Sequence, residues 1–161
     1  MIDTPLAARP HDHSRCVSHA LAEAEAICAR QGLRLTALRK RVLELVWASH
    51  KPLGAYDILG VPSDEDGRRA APPTVYRALD FLLENGLVHR IASLNAFIGC
   101  SHPEHVHQGQ FLICRACHVA IELEQSSISE AIINSAKGVG FTVETQTVEV
   151  VGLCGNCRSA A

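Results

Sequence analysis

The first half of the chain repeats its apolar residues with the period of an α-helix. This pattern runs from about Ser14 to Gln31, and a second helix follows Thr36, a favourable N-cap residue. A short third helix is predicted after Gly54. The clearest helix is "PPTVYRALDFLLENG", because proline suits the first helical turn and Gly86 suits the position after the last. Three or four helices are therefore predicted before residue 87.

Two short strands are predicted next, "LVHRIA" and "AFIGC", joined at "SLN". Helices followed by a β-hairpin form the element order of a winged helix. In that fold the last helix enters the major groove of DNA, and the hairpin lies on the phosphate backbone.

The pattern changes after about Ala92. The segments "QFLIC" and "VAIELE" are β-like, "SSISEAIINSAKGVG" is helical, and "FTVETQTVEVVGLC" is β-rich. This order predicts an α+β fold in which a small α/β domain follows the winged helix. We expect a mobile tail at 1–14, the winged-helix domain at 15–92, a hinge at 93–100 and the second domain at 101–161. His11 and His13 are interpreted as a disordered histidine pair of the tail.

Composition is that of a globular protein of 161 residues, with 47% hydrophobic residues. No run of 18 apolar residues is present, and the first residues lack the apolar core of a secretory signal. We therefore expect a cytoplasmic protein with no membrane partner. Thiols stay reduced there, so the seven cysteines indicate metal or redox sites rather than disulfides.

The net charge of −2 does not by itself suggest a nucleic-acid partner, but the charge is unevenly spread. Residues 1–90 hold 12 Lys and Arg against 11 Asp and Glu, and residues 91–161 hold 3 against 6. The stretch "RQGLRLTALRKR" contains no acid. Such a local patch is sufficient for phosphate contacts, although a solvated helix face gives the same pattern.

Two Cys-x-x-Cys pairs stand out, Cys114 with Cys117 and Cys154 with Cys157. Each pair lies at the end of a predicted strand, and adjacent strands would bring the pairs together. Four thiolates in a tetrahedron make a closed structural zinc site. The alternative is a redox dithiol, which needs one pair at a helix N-terminus. Neither pair is predicted to begin a helix, so structural zinc is favoured.

A second group of metal-binding residue types lies in "CSHPEHVHQGQ", between the hairpin and the first cysteine pair. It contains Cys100, His102, His105 and His107, with His89 in the strand before and Glu122 in the strand after. Imidazole, thiolate and carboxylate together can bind a divalent metal, and a thiolate favours zinc over ferrous iron. The pattern predicts a second metal site but leaves its ligands open.

The segments "LTALRKRVLELV" and "PPTVYRALDFLLENGLVHR", together with the paired Cys-x-x-Cys, resemble the ferric uptake regulator family. "PPTVYRALDFLLE" and a cysteine directly after the wing are similar to its zinc uptake regulator branch. The resemblance covers roughly residues 21–158. It implies a dimeric winged-helix repressor whose second domain dimerises and carries metal.

The resemblance also implies roles for individual residues. The structural zinc ligands would be Cys114, Cys117, Cys154 and Cys157, and the regulatory ligands would be His89, Cys100, His107 and Glu122. Tyr76 and Arg77 match the DNA-contacting start of the recognition helix, and Thr74, Arg39 and Tyr56 are further candidates for DNA contacts. The chain departs from iron-sensing members at Gln146, where they carry a histidine.

The expected function is a zinc-responsive repressor of zinc-uptake genes, with two zinc ions per chain, that binds double-stranded operator DNA as a homodimer. Three alternatives remain at this stage. The first is the same class of regulator responding to iron, nickel or peroxide. The second is an enzyme, either a zinc hydrolase or a thiol oxidoreductase. The third is a zinc-stabilised interaction module without DNA.

Overall fold

The computed structural model describes residues 11–60 and 67–160. In chain order the first domain contains helix α1 (His13–Arg30), α2 (Ala37–Trp47), strand β1 (Leu53–Gly54), α3 (Ala55–Ile58), α4 (Pro72–Glu84), β2 (Val88–Ile91), a 3-10 turn (Ala92–Leu94) and β3 (Ala96–Gly99). The second contains β4 (Gly109–Cys114), β5 (Ala120–Glu122), α5 (Ser126–Gly138), β6 (Thr147–Gly152) and α6 (Gly155–Ser159). The predicted α+β architecture is confirmed. Within the described residues, no helix is long and apolar enough to cross a membrane.

The first domain packs its helices around one apolar core. The N-cap Thr36 accepts a hydrogen bond from the Arg39 N–H at 3.4 Å, which fixes the start of α2. Helix α4 buries one stripe against α2 and leaves its opposite face in solvent. The members of that stripe are Val75, Ala78, Leu79, Phe81 and Leu82. The predicted recognition helix is therefore held by its apolar face alone, and its polar face remains available.

A three-stranded sheet of order β1-β3-β2 completes this domain. The hairpin of β2 and β3 is the predicted wing, with Val88 opposite Gly99 and Ile91 opposite Ala96. Strand β1 was not predicted, because two residues are too few to show an alternating pattern.

Two predicted boundaries need correction. Strand β3 belongs to the wing, so residues 96–99 are part of the first domain and not of the predicted hinge at 93–100. The physical reason is that β3 is the central strand and pairs on both sides. Helix α1 begins at His13, inside the predicted tail, because the Asp12 carboxylate accepts the Ser14 N–H at 2.9 Å and caps it. Residues 1–10 of that prediction lie outside the described residues.

The second domain is a sheet of order β5-β4-β6, with α5 between β5 and β6 in the chain. Strands β4 and β5 are antiparallel, whereas β4 and β6 are parallel, with Gly109 opposite Thr147 and Cys114 opposite Gly152. Because parallel partners point the same way, β4 and β6 end at the same edge of the sheet. This edge carries the cysteine pairs.

The two domains share a small apolar core and several hydrogen bonds. The core joins residues of the wing to residues of β4 and β5, namely Ile91, Ile98, Phe111, Ile113 and Ala120. The Ala120 N–H donates to the His50 carbonyl at 2.9 Å. Glu149 of β6 accepts the N–H groups of Ala92 and Ser93 at 2.7 and 3.2 Å. The arrangement of the domains is thus held by specific contacts.

Candidate metal centres and nucleic-acid interface

The two cysteine pairs meet at the shared end of β4 and β6. Cys114 is the last residue of β4, and Cys154 follows two residues after Gly152, which lies opposite Cys114. The Sγ atoms of Cys114, Cys117, Cys154 and Cys157 lie within 4.8 Å of one another. The Sγ atoms of Cys117 and Cys154 are 3.8 Å apart. Zinc–sulfur bonds of about 2.3 Å in a tetrahedron would place them roughly 3.8 Å apart.

The environment of this cluster prepares a thiolate. Backbone N–H groups of Cys117 and Cys154 point at the Cys114 sulfur and lower the pKa of its thiol to about 5. The Cys154 N–H lies 3.4 Å from that sulfur. Hydrogen bonds with Cys154 and Cys117 raise the pKa of Cys157 to about 12. The Cys114 sulfur is therefore ready to bind a cation as a thiolate, whereas a metal ion would have to displace the proton of Cys157.

One expectation about these pairs is wrong. Cys154 is the N-cap of α6, and Cys157 lies within that helix, so the second pair does begin a helix. The helix was missed because its five residues are too few for a periodic pattern. The convergence of all four sulfurs, rather than the absence of a helix, is what now distinguishes a metal centre from a redox dithiol.

The mixed cluster draws its side chains from both domains. His89 lies on β2 of the wing, and Cys100 directly follows β3. His107 precedes β4, and Glu122 ends β5. Their donor atoms also lie within 4.8 Å of one another. The structure thus brings together the four residues that the family resemblance implied.

The distances within this cluster approach those of a tetrahedral metal site. Cys100 Sγ is 3.6 Å from His107 Nε2, and the Nε2 atoms of His89 and His107 are 3.2 Å apart. Zinc bonds of about 2.3 Å to sulfur and about 2.0–2.1 Å to nitrogen predict roughly 3.5 and 3.3 Å. Glu122 Oε1 lies 2.7 Å from both Nε2 atoms.

The hydrogen bonds of His107 determine which of its ring nitrogens faces the cluster. Its Nδ1 lies 2.8 Å from the His105 carbonyl, which only accepts, so Nδ1 carries the proton and donates. Nε2 lies 2.7 Å from the Glu122 carboxylate. Burial would lower the pKa of His107, but hydrogen bonds with His105 and Glu122 raise it, so either a proton or a metal ion at Nε2 satisfies this contact. Support of a ligating histidine through its other nitrogen is usual in metal sites.

Burial and hydrogen bonds shift the pKa values of two other members of the cluster. Burial and the nearby Glu122 charge raise the pKa of the Cys100 thiol to about 12. Burial alone would raise the pKa of the Glu122 carboxyl, but hydrogen bonds from His89, Ser101 and His107 outweigh it and lower the pKa to about 2. The Ser101 N–H donates to Glu122 Oε2 at 2.9 Å. A carboxylate charge is therefore buried beside a protonated thiol that a metal would deprotonate.

Both donor sets suit zinc. The first offers four sulfurs and no open position, as in structural zinc sites. The second offers sulfur, two imidazoles and a carboxylate, a combination in which the thiolate favours zinc over harder cations.

Several histidines differ from the sequence analysis in whether they join a metal-binding group. His102 is paired with Glu124 at 3.5 Å, and His105 contributes its carbonyl to His107, so neither belongs to a described metal-binding group. By contrast, His50 joins His11 and His13 in a third cluster of donor atoms. His50 is distant in sequence from both, so no local spacing could have revealed it. The prediction of a disordered His11 and His13 pair is wrong.

The candidates for DNA contact divide into two groups. Thr74, Tyr76 and Arg77 are exposed on the first turns of α4, and Tyr56 on α3 is 84% exposed. Arg39 instead lies over the Phe81 ring at 3.5 Å and donates to the Arg34 carbonyl at 2.5 Å. Arg39 thus already has a packing role, whereas the other four present free faces to solvent.

Two cations of the basic stretch at residues 30–41, which runs into α2, are also paired with acids. Lys40 pairs with Glu25, and Arg41 pairs with Glu44 at 2.9 Å. Two of the five cations in this stretch are therefore balanced within the domain.

Comparison with known proteins gives a consistent result. A model of the ferric uptake regulator family matches residues 30–151. The zinc uptake regulation protein of Escherichia coli (strain K12) is 37% identical over 138 residues, which cover 85% of this chain and 80% of that protein.

Solved structures extend this likeness to three dimensions. The structure "Zinc Uptake Regulator Complexed With Zinc AND DNA" is 35% identical with a TM-score of 0.81, covering 89% of this chain and 96% of that one. "Crystal structure of holo XcZur" is 44% identical with a TM-score of 0.79, covering 90% and 99%. "Crystal structure of apo XcZur" is also 44% identical, and the match covers 88% of this chain and 97% of that one. Its TM-score is only 0.51. The chain belongs to the ferric uptake regulator family.

Proposed function

We propose that this protein is a zinc-responsive transcriptional repressor, which binds operator DNA as a dimer when zinc-loaded and represses zinc-uptake genes. The observation that carries the proposal is the mixed cluster of His89, Cys100, His107 and Glu122, because it joins the two domains and brings four metal-binding side chains together. The likeness to zinc uptake regulators supports zinc as that cation.

We propose two zinc ions per chain. The four-cysteine centre lies entirely within the second domain and holds the ends of β4 and β6 together. The mixed centre takes ligands from the wing, from the segment after it and from the second domain. The first is structural and the second regulatory.

Regulation follows from where the ligands lie. His89 and Cys100 move with the winged-helix domain, whereas Glu122 moves with the second sheet. A bound zinc would fix the angle between these bodies. A dimer reads two half-sites whose spacing depends on that angle, so zinc selects the DNA-competent arrangement, and DNA tightens zinc binding by the same factor. The closer match to the holo than to the apo neighbour supports this arrangement as the metal-bound one.

The DNA-binding surface is proposed on the exposed face of α4. Thr74, Tyr76 and Arg77 lie where a recognition helix presents side chains to base edges and phosphates, and Tyr56 lies on the neighbouring α3. Arg39 supports this surface through its contact with Phe81. Since DNA is its partner, we place the protein in the cytoplasm.

A homodimer is proposed through the second domain. Strand β6 and the segment after α5 expose large apolar side chains, among them Val139, Phe141, Val150 and Val151. Exposed apolar surface of this kind marks an interaction site. A second copy is the occupant that operator binding with two half-sites requires.

The direct test is zinc-dependent operator binding. Promoter DNA of zinc-uptake genes should be bound in zinc and released when a mild chelator removes the regulatory metal, while circular dichroism shows that the protein stays folded. Binding that is equal in zinc and chelator, or that requires iron in place of zinc, would overturn the proposal.

The DNA surface has its own test. Arg77→Ala should weaken operator binding by roughly 1–3 kcal/mol, because a base-edge contact is worth about that much. Zinc content and dimerisation should not change. Arg158→Ala removes the same charge from the exposed side of α6 and should leave operator binding as in the unmodified protein. Equal affinities for the two variants would remove Arg77 from the interface.

A further inference from the structure

Three histidines that belong to neither of the centres described above converge at the start of α1. His11 precedes the helix, His13 is its first residue, and His50 lies in the turn after α2. Their ring nitrogens lie within 4.8 Å of one another. The Nε2 atoms of His11 and His50 are 2.8 Å apart. The rings are tilted by 46–48° to one another and do not stack face to face.

Hydrogen bonding among the described residues leaves this cluster incompletely satisfied. The Nδ1 atom of His13 is buried and has no hydrogen-bond partner there. A buried polar nitrogen without a partner costs roughly 1–3 kcal/mol. Three imidazole nitrogens this close together are suitable ligands for one metal ion.

We propose that His11, His13 and His50 bind a third divalent transition-metal ion, namely zinc in this protein. Neutral imidazole is the most common protein ligand for such ions. Three imidazoles leave a fourth tetrahedral position to water, as in open zinc sites. With fewer protein donors and no thiolate, this site fills only after the other two.

Its position gives the site a physical connection to the domain interface. The His50 carbonyl accepts the Ala120 N–H at 2.9 Å, and Glu122 lies two residues further along β5. Metal bound here ties the start of α1 to the turn after α2, and hence to the strand that carries a regulatory ligand. The site therefore reinforces the arrangement of domains at high zinc.

The test is a zinc titration of the whole chain by equilibrium dialysis with metal analysis. The unmodified protein should bind one more zinc per chain, at lower affinity, than either His50→Ala or His11→Ala. His19→Ala changes an exposed histidine of α1 that pairs with Glu23, and it should keep the extra equivalent. His11 precedes the helix, so its variant also tests the site if His50→Ala disturbs folding.

The measured quantity is the difference of one zinc ion per chain between the unmodified protein and each variant. It does not depend on how many zinc ions the unmodified protein binds in total. Cobalt(II) separates it from the proposed function, because thiolate-to-cobalt absorption arises only at the two cysteine-containing centres. That absorption should be the same in all four proteins. An unmodified protein without the extra equivalent, or both variants retaining it, would overturn the inference.

Discussion

The four-cysteine centre and the mixed centre differ in what they connect. The first joins two strand ends of one sheet and offers only sulfur. The second joins two domains and mixes sulfur, nitrogen and oxygen. A metal within one sheet can only stabilise that sheet, whereas a metal between two bodies also sets their relative position. Position in the fold, more than ligand type, therefore separates a structural from a regulatory ion.

The largest expected effect comes from breaking the proposed structural centre. Cys114→Ser removes a proposed zinc ligand, and a structural zinc contributes on the order of 10 kcal/mol to the folding of small zinc-binding peptides. The second domain should then fail to fold or to dimerise. Zinc analysis and size-exclusion chromatography measure this, with Cys16→Ser on α1 as the thiol control. A folded dimer with full zinc content would remove the distinction between the two centres.

Breaking the proposed regulatory centre should affect regulation but not folding. Cys100→Ser should keep the structural zinc and the dimer but bind the regulatory zinc at least about 100-fold more weakly, since even indirect contacts to a metal are worth 10- to 100-fold. Zinc content and a zinc-titrated operator-binding curve measure the effect. Cys28→Ser, another buried thiol of the same domain, is the control. Wild-type behaviour of Cys100→Ser in both assays would place regulation elsewhere.

A smaller effect should show that the residues beside the mixed centre are packed more tightly than those near the four-cysteine centre. A Cβ added at Gly99, beside Cys100, would lie 2.2 Å from the Trp47 ring. Gly99→Ala should therefore lower the free energy of unfolding by about 1–3 kcal/mol, as overpacking does. Gly152→Ala, near the structural centre, meets nothing within 4 Å and should be nearly neutral. Urea unfolding of both variants checks this, and equal losses would contradict it.

The smallest effect concerns the contact between Glu149 and the turn of the wing. Burial alone would raise the pKa of Glu149, but hydrogen bonds from Ser93 and Ala92 lower it. A carboxyl whose pKa is lowered on folding stabilises the protein above its ordinary pKa, and this is lost as the pH falls through the lowered value. Glu149→Gln should therefore cost up to about 1 kcal/mol at neutral pH.

The same variant should lose less at acid pH, where the unmodified protein has lost part of this contribution as well. Unfolding measured at about pH 7 and about pH 4 checks the difference. Glu144→Gln, an exposed acid of the same domain, is the control. A cost that does not change with pH would indicate that the contact acts through packing rather than charge.

The sequence predicted the helices and the wing because their patterns are local. The apolar stripe of α4, its proline start and Gly86 each specify the same helix. The cysteine pairs were also recognisable, since ligand spacing within each pair is short. What escaped prediction was either too short for a pattern, as in β1 and α6, or brought together by the fold, as with His50. The predicted hinge at 93–100 was wrong for a similar reason, because β3 lies at the centre of its sheet and pairs there with the distant β1.

The parallel pairing of β4 with β6 also has a consequence for the order of folding. Cys117 and Cys154 are 37 residues apart, and their meeting requires that ladder to form. Contacts of long sequence separation form slowly, because chain entropy is lost before they are made. Before β6 joins, Cys114 and Cys117 form only half of a site, which binds zinc weakly and exposes its thiols. The second domain should therefore complete folding after the winged helix, at a rate that depends on zinc.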